Sequence, residues 1–359
     1  MHRLFPSDLD HVLESASECW NELAGARLFI TGGTGFVGKW LLESLLWAND
    51  RLDLGAGIVV LTRDPGGFRT RDPHIGQHAA VELLQGDAAT FRFPSGDFPF
   101  VIHAATLRSF PPDSEHPAST FDGDVAGTRR VLEFARTRRV RRLLLTSSGT
   151  AYGKQPSDLT HLPESYAGAP LTTDNGAAYA QAKRVSEFLC TMYARQFGFA
   201  ALIARLFAFV GPYLPLDQNF AVGNFIRDAL AGGPIRIHGD GTPYRSYLYA
   251  ADMAAWLWTI LVRGESARVY NVGSDQAVTI AELARAVADE IAPETRIDIR
   301  GRPEPGAPPL RYVPSIERAR GELNLRVRIP LREGISRTAA WAAGRAEVRV
   351  LVESEASTG

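Results

Sequence analysis

Cysteine and an excess of charge are what this chain of 359 residues most clearly lacks. Its only cysteines are Cys19 and Cys190. Two cysteines are too few for a disulfide framework, so we expect a protein of the reducing cytoplasm. The 39 Lys and Arg residues nearly balance the 40 Asp and Glu residues. Such a balance gives no electrostatic attraction to nucleic acid or to anionic membranes, and we expect neither as a partner.

Long apolar runs and a leader segment are also missing. Residues 1–10 have no basic start followed by an apolar stretch, so we expect no secretory signal. The most apolar run, 199–216, contains Arg205 and two prolines, which favours a buried strand and loop over a membrane span. Histidine and cysteine do not cluster at metal-ligand spacings, so no metal site is predicted.

A glycine loop is among the most informative local patterns. Gly32, Gly35 and Gly38 are spaced three residues apart, directly after an apolar run, and Phe36 and Val37 open the segment that follows. Glycines let the backbone approach a pyrophosphate, and a helix N-terminus supplies amide donors and partial positive charge. A purely structural tight turn is the alternative, but the strand–loop–helix context favours a dinucleotide site. We assign these five residues to cofactor binding.

Apolar runs alternate with helical spacings along the first half of the chain. This alternation predicts the α/β class: a doubly wound parallel (Rossmann-like) sheet with a smaller C-terminal substrate-binding lobe. The predicted strands are 27–31, 57–62, 81–84, 100–103, 142–147 and 200–203, and the predicted helices are 8–23, 38–47, 125–136, 179–197, 223–231, 250–263 and 280–291. The expected parts are an N-terminal helical extension at 1–24, a dinucleotide-binding domain at 25–210, a lobe at 211–343 that binds mainly substrate and returns some segments to the first domain, and a fraying tail at 344–359.

The residues after the second predicted strand bear on the choice of cofactor. Dinucleotide-binding proteins usually place an acidic residue there to hold the ribose hydroxyls. Here the strand ends in Arg63 and Asp64, and Arg63 stands where a 2′-phosphate needs a cation. This favours NADP slightly. In the alternative, Arg63 stacks on the adenine and Asp64 meets the ribose of NAD.

Two further strand ends carry candidate cofactor contacts. Asp87 follows the third strand, where its carboxylate either accepts from the adenine amino group or serves only in a turn. Ala104 and Ala105 follow the fourth strand, and their small side chains let the chain pass close to the cofactor. His103, just before them, is interpreted as structural rather than catalytic.

Tyr179 and Lys183 are four residues apart and therefore share one face of a predicted helix. A free tyrosine holds its proton tightly at neutral pH, but a neighbouring ammonium favours the phenolate. The positive charge of an oxidised nicotinamide acts in the same direction. A dinucleotide loop together with this pair indicates hydride transfer at a carbinol or carbonyl carbon.

With the segment 146–153, the chain resembles an extended short-chain dehydrogenase/reductase of the nucleotide-sugar epimerase/dehydratase family. The resemblance runs from about residue 27 to residue 341. It implies that Ser148 hydrogen-bonds the reacting oxygen, that Tyr179 exchanges the proton, and that Lys183 holds the nicotinamide ribose and favours the Tyr179 phenolate. Ser147 is the alternative to Ser148, interpreted as a loop-capping hydroxyl.

The chain also departs from the family pattern at several positions. Dehydratases of the family carry an Asp-Glu pair just after the catalytic hydroxyl, and decarboxylases use a Glu there, whereas this chain has Gly149 and Thr150. This disfavours both reactions and is closer to simple C4 epimerases. Asp124 and Ala208 stand where family members often have Asn, so the substrate geometry near the diphosphate is expected to be unusual.

In the second lobe, the resemblance implies a site for a nucleotide diphosphate. Arg245, in the segment 239–247, matches an Arg that commonly contacts the diphosphate, and Arg302 resembles a second such residue. Two guanidinium groups bind a diphosphate well through bidentate hydrogen bonds; a surface ion pair is the alternative for each. Asn224 either caps a helix or meets the nucleotide, and Thr150 is assigned to substrate binding with Ser148. Asp252 is expected to pack between the lobes without a catalytic role.

The resulting hypothesis is an NAD(P)-dependent enzyme acting at C4 of a nucleotide-diphosphate sugar. A C4 epimerase with a 4-keto intermediate is favoured, and an NADPH-dependent reductase of nucleotide 4-keto sugars is the alternative. A protein that senses a dinucleotide without chemistry is a third possibility, disfavoured because Tyr179 and Lys183 are both present. The family resemblance also implies a homodimer built on the helix 179–197 and its neighbour.

Overall fold

The computed structural model describes residues 4–106, 116–218 and 220–356, with side chains as far as residue 344. The strands are β1 (Arg27–Thr31), β2 (Gly57–Thr62), β3 (Val81–Gln85), β4 (Phe100–His103), β5 (Arg142–Ser148), β6 (Ala200–Leu206), β7 (Phe209–Val210), β8 (Ile235–Ile237), β9 (Tyr244–Arg245), β10 (Leu248–Tyr249), β11 (Val269–Val272), β12 (Val278–Thr279), β13 (Ile297–Ile299) and β14 (Arg311–Tyr312). The helices are α1 (Pro6–Ser15), α2 (Trp20–Leu23), α3 (Phe36–Leu52), α4 (Pro65–Arg71), α5 (Pro73–Gly76), α6 (Pro117–Thr137), α7 (Ala178–Phe197), α8 (Ala221–Leu230), α9 (Ala250–Arg263), α10 (Ile280–Ile291), α11 (Glu317–Leu323) and α12 (Leu331–Ala356).

Seven strands form one parallel sheet in the order β11-β6-β5-β4-β1-β2-β3. The predicted Rossmann-like α/β fold is therefore confirmed. Strand β11 returns to this sheet from the part of the chain that we assign to the second lobe, and it pairs with β6. The central strands are buried on both faces because helices cover both sides, as is usual for parallel sheets.

The strand order reverses at β1, which lies between β2 and β4. The chain leaves β1 in one direction along the sheet and returns on its other side, so a crevice opens at the carboxyl ends of β1 and β4. Ligands bind at such a switch point in open α/β sheets. The topology thus places the glycine loop after β1 at the mouth of this crevice.

Two hydrophobic clusters fill the space between the sheet and its helices. One contains residues of α1, α3 and α9 together with the inward side chains of the second lobe. The other contains residues of α6 and α7 and a group of closely packed phenylalanines around Phe29 and Phe134, whose ring centroids are 4.6 Å apart. Both cysteines are buried and unpaired. No helix in the described part of the chain is long and apolar enough to cross a bilayer.

The N-terminal helices pack on α9 and α3. His11 Nε2 lies 2.8 Å from Asp252 Oδ1, and the Tyr249 hydroxyl donates to Asp8 Oδ2 at 2.6 Å. Asp252 also accepts from the backbone N–H groups of Arg328 and Ile329. These bonds give Asp252 a structural role, and they fasten the first helix to late parts of the chain.

The C-terminal end differs from expectation. We expected a fraying tail from residue 344, but α12 continues to Ala356. The physical reason is composition, because 335–356 is rich in Ala, Arg and Glu, which are strong helix formers.

Candidate functional site

A cavity of about 360 Å³ lies at the carboxyl ends of β1 to β4. Its lining includes six of the predicted cofactor residues, Gly32, Gly35, Arg63, Asp87, Ala104 and Ala105. The other three glycine-loop residues lie outside the lining: Phe36, Val37 and Gly38 form the first turn of α3. The elongated crevice, with a helix N-terminus and a glycine loop on one side, suits a dinucleotide.

Close approach of two backbones explains the glycines in this loop. Gly32 has a φ of 72°, and a Cβ atom there would lie 2.4 Å from the carbonyl carbon of Ala104. At Gly38, a Cβ atom would lie 2.3 Å from the Gly32 oxygen. Only glycine fits both positions, so the loop stays flat beside the start of α3 and leaves room for a pyrophosphate.

His103 is part of the frame beneath this cavity. Its Nδ1 lies 2.7 Å from Thr31 Oγ1, and its Nε2 lies 3.1 Å from Thr128 Oγ1. Burial, assisted by the charge of Lys183, lowers the pKa of His103 to about 3. A neutral imidazole held by two hydrogen bonds fits the structural interpretation of this residue.

The end of the cavity beside β2 and α4 holds two arginines and one aspartate. Asp64 accepts the Gly67 N–H at 2.8 Å, which caps α4, and its other oxygen lies 3.4 Å from Arg71 Nη1. The bond from Gly67 lowers the pKa of the Asp64 carboxyl. Arg63 and Arg71 both line the cavity. Arg71 is a residue that sequence reasoning missed, although its place at the end of a basic helix after β2 was a usable signal.

Asp87 combines both interpretations suggested by the sequence. Its Oδ1 accepts the Ala89 N–H at 2.9 Å, which is a turn contact, and the residue also lines the cavity. Thr106, just after the two alanines that follow β4, lines the cavity as well and was not predicted. No cluster of His, Cys, Asp and Glu within the described ranges is suited to a metal ion.

Ser148 is the last residue of β5 and is 7% exposed. Thr150 donates both its backbone N–H, at 3.2 Å, and its hydroxyl, at 2.9 Å, to Ser148 Oγ. Because Ser148 accepts twice, its own O–H remains a donor for a third group. The structure thus joins Ser148 and Thr150, both predicted site residues, in one hydrogen-bonded turn.

The neighbouring Ser147 has a different place. Its hydroxyl donates to Glu187 Oε1 at 2.5 Å, and Glu187 is paired with Arg205. We expected Ser147 to cap a loop, but it bonds to a buried ion pair on α7 and β6. The sequence offered no signal for these contacts, because Ser147 and Glu187 are 40 residues apart and Glu187 and Arg205 are 18 residues apart.

Tyr179 and Lys183 lie on the first turns of α7, which packs against β5 and the turn after it. The Lys183 ammonium is 5.4 Å from the centre of the Tyr179 ring. It is also 3.4 Å from Asp124 Oδ2 on α6, and both side chains are almost completely buried. Asp124 lines the cofactor cavity, so this ion pair connects the tyrosine helix to the cavity wall.

The predicted diphosphate residues are in the second lobe and outside the cavity lining. The Arg245 guanidinium donates to the Tyr244 carbonyl at 2.8 Å and lies 5.8 Å from the Tyr312 ring centre. Arg302 is exposed on the loop after β13, where the Gly301 N–H bonds to the Gly239 carbonyl at 3.0 Å. The loop that carries Arg302 is therefore a neighbour of the loop that leads into β9, the strand of Arg245. Asn224 is on α8 and accepts from Arg227 at 3.3 Å.

A family profile described as the NAD dependent epimerase/dehydratase family matches residues 28–273. Among curated proteins, UDP-glucuronic acid decarboxylase 6 of Arabidopsis thaliana is 32% identical over 311 residues, which is 86% of this chain and 86% of that protein. UDP-glucuronic acid decarboxylase 1 of the same plant is 30% identical over 312 residues, covering 87% of this chain and 68% of that protein.

Solved structures with the same fold include the UDP-glucose 4-epimerase of Thermotoga maritima, determined with UDP-glucose. It has a TM-score of 0.75 at 20% identity and covers 89% of this chain and 99% of its own. The dTDP-glucose 4,6-dehydratase of Bacillus anthracis, in complex with NAD, has a TM-score of 0.73 at 18% identity. The match covers 90% of this chain and 98% of the dehydratase chain. At these identities the likeness concerns the fold.

Proposed function

The chain belongs to the NAD dependent epimerase/dehydratase family, and we propose that it is a C4 epimerase of a nucleotide-diphosphate sugar. That the protein is an NAD-dependent enzyme acting on C4 of nucleotide sugars follows from the family. The observation that supports epimerisation in particular is the turn after β5. There the Ser148 side chain bonds only to Thr150 among the described residues, and the next residue is Gly149 rather than an acidic residue.

In this proposal, Tyr179 takes the proton of the C4 hydroxyl as the sugar is oxidised and returns it at the end. Ser148 donates its free O–H to the same oxygen and stabilises the charge that develops there. The bound dinucleotide supplies a reversible hydride acceptor. Lys183, close to the Tyr179 ring, favours the phenolate and holds the nicotinamide ribose. The 4-keto sugar then turns over before reduction on its other face.

The neighbouring positions disfavour two reactions found among relatives. Elimination of the 6-hydroxyl needs an acid and a base beside the sugar, and decarboxylation in the family uses a Glu there. In this chain a side chain at Gly149 would have to displace two rings, because its Cβ would lie 2.6 Å from the Tyr312 hydroxyl and 2.7 Å from the Phe207 ring. Thr150 supplies a hydroxyl instead of a carboxylate.

The cavity supports a second candidate, an NADPH-dependent reductase of nucleotide 4-keto sugars. Arg63 and Arg71 line the adenosine end, and Asp64 is engaged by Gly67 and Arg71. Two guanidinium groups suit a 2′-phosphate. The same Ser148, Tyr179 and Lys183 would then serve a net reduction, with Tyr179 giving its proton to the alkoxide.

One purified sample separates these reactions. The protein is denatured, any released dinucleotide is identified by mass spectrometry, and the native enzyme is assayed with UDP-glucose, UDP-galactose, UDP-glucuronic acid and a dTDP-4-keto-6-deoxy sugar. Stoichiometric NAD with interconversion of C4 epimers supports the epimerase. Release of carbon dioxide from UDP-glucuronic acid would overturn it. Steady consumption of NADPH with the keto sugar would select the reductase, and cofactor binding with no turnover would favour a sensing protein.

We also propose that the protein is a homodimer through α7. Phe188 is 67% exposed and Met192, one turn later, is 37% exposed. Exposed apolar side chains one turn apart on the same helix face suit burial against a second copy. Light scattering of a gel-filtered sample at micromolar concentration is expected to give twice the chain mass of 39.2 kDa. A monomer would reject the dimer, and Phe188→Glu is expected to produce one.

A further inference from the structure

Lys183 is a buried cation whose charge is compensated by a neighbouring carboxylate. Its ammonium is 3.4 Å from Asp124 Oδ2, and the two side chains are 4% and 2% exposed. Thr106 donates its hydroxyl to the Asp124 carboxylate, at 2.9 Å from Oδ2 and 3.3 Å from Oδ1. Asp124 and Thr106 both line the cavity. Asp124 is therefore part of the cavity wall, and its partner Lys183 lies behind it, both shielded from bulk water.

The other titratable groups around Lys183 are accounted for on each element packed against it. On β4, His103 is neutral at ordinary pH because burial and the Lys183 charge lower its pKa to about 3. On α7 itself, Glu187 is paired with Arg205, and burial raises the pKa of the Cys190 thiol, which keeps it neutral. Tyr179 lies on the preceding turn. Among these described groups, Asp124 is the negative charge that acts on the ammonium.

An oxidised nicotinamide carries a positive charge, and a reduced one does not. A buried ammonium just behind the cavity wall would repel the oxidised form, because charges interact strongly where water is excluded. We propose that Asp124 is the counter-charge of the cofactor site, which lets the oxidised dinucleotide bind beside Lys183. Asp124 acts by its charge, which offsets that of Lys183, and no contact with the reacting atoms is assigned to it. This inference rests on the proposed function, in which Lys183 holds the nicotinamide ribose.

The test compares the dissociation constants of NAD⁺ and NADH for the full chain, freed of bound dinucleotide and measured by titration calorimetry without sugar. Asp124→Asn keeps the shape of the side chain and an acceptor for Thr106, but removes the charge. We expect it to weaken NAD⁺ relative to NADH by about tenfold, because removing a unit charge has an effect of this order in a site with an effective dielectric constant near ~20. Asp122→Asn, which removes an exposed carboxylate from the same helix, is the matched control and should leave the ratio unchanged.

Asp124→Asn leaves a buried ammonium without its partner and could fail to fold. In that event Lys183→Met is compared with the double variant Asp124→Asn/Lys183→Met, in which both buried charges are gone. Adding Asp124→Asn to Lys183→Met should again weaken NAD⁺ relative to NADH by about tenfold.

An unchanged or reversed ratio in either comparison would overturn the proposal. A chain that binds neither dinucleotide would overturn it together with the cofactor assignment. Failure of every sugar to react would reject the proposed enzyme, yet the binding ratio would still decide the role of Asp124. A purely structural role predicts equal losses for NAD⁺ and NADH.

Discussion

Arg205 and Glu187 form a two-point ion pair behind the end of β5, with Nε–Oε1 at 2.9 Å and Nη2–Oε2 at 2.6 Å. The guanidinium also lies 4.2 Å from the ring centre of Tyr152. Ser147 donates to the same carboxylate. This cluster joins α7, β5 and β6 directly behind Ser148 and Lys183, so it fixes the frame on which the candidate site is built.

Removing one member of this pair should destabilise the fold strongly. Arg205→Met leaves Glu187 buried without its cation, and we expect the free energy of unfolding in urea to fall by about 3 kcal/mol or more. The double variant Arg205→Met/Glu187→Leu removes both charges and should recover most of that loss. If the double variant were less stable than Arg205→Met, the ion pair would not be the origin of the effect.

Adjacent serines provide a matched test of the catalytic assignment. Ser148→Ala removes the free O–H donor and should lower kcat about 100-fold with little change in KM. Ser147→Ala removes a donor to Glu187 and should lower stability by about 1 kcal/mol, with kcat within about threefold of wild type. Steady-state kinetics and urea titration measure both variants. A larger loss of kcat in Ser147→Ala than in Ser148→Ala would reverse the assignment.

Tyr179→Phe should abolish turnover and leave cofactor binding nearly intact. The variant keeps the ring but removes the group that carries the proton, so kcat should fall about 1,000-fold or more. Tyr270→Phe is the control, because that hydroxyl bonds to Glu322 on the outer edge of the sheet. Full activity of Tyr179→Phe would contradict the assignment of Tyr179 as the proton carrier.

His103 predicts a pH dependence of stability. Its pKa is lowered to about 3 in the folded chain by burial, so between that value and about 6.5 the unfolded chain binds the extra proton. Stability from this group is therefore complete above about pH 6.5 and is lost as pH falls, by about 1.4 kcal/mol per unit. Urea titrations from pH 7 to pH 5 should show a steeper loss in wild type than in His103→Asn. The exposed His238→Asn should keep the wild-type slope; equal slopes in all three would contradict the prediction.

Sequence reasoning predicted best where one element carries its own periodic signal. Strand Phe100–His103 and helices Ala250–Arg263 and Ile280–Ile291 have the predicted bounds. An apolar run or a 3.6-residue spacing is enough to define such elements. Helix α6 begins eight residues earlier than predicted, at Pro117, a residue that suits the first turn of a helix.

The short strands of the second lobe were not predicted individually. Several contain only two residues, for example Tyr244–Arg245 and Arg311–Tyr312, and two residues have no periodicity to read. Their pairing depends on contacts between distant segments. The same limit applies to the site: the motifs indicated Ser148, Tyr179 and Lys183, whereas the pairing of Lys183 with Asp124, 59 residues away in sequence, emerges only once α6 and α7 pack.

The fastening of the first helix has a consequence for how the chain is made. Asp8 accepts from Tyr249 and is paired with Arg337, so its partners leave the ribosome long after it does. These two contacts of α1 can therefore form only late in synthesis, even though its packing on α3 can form early. Full docking of α1 thus reports that the segments carrying Tyr249 and Arg337 have folded.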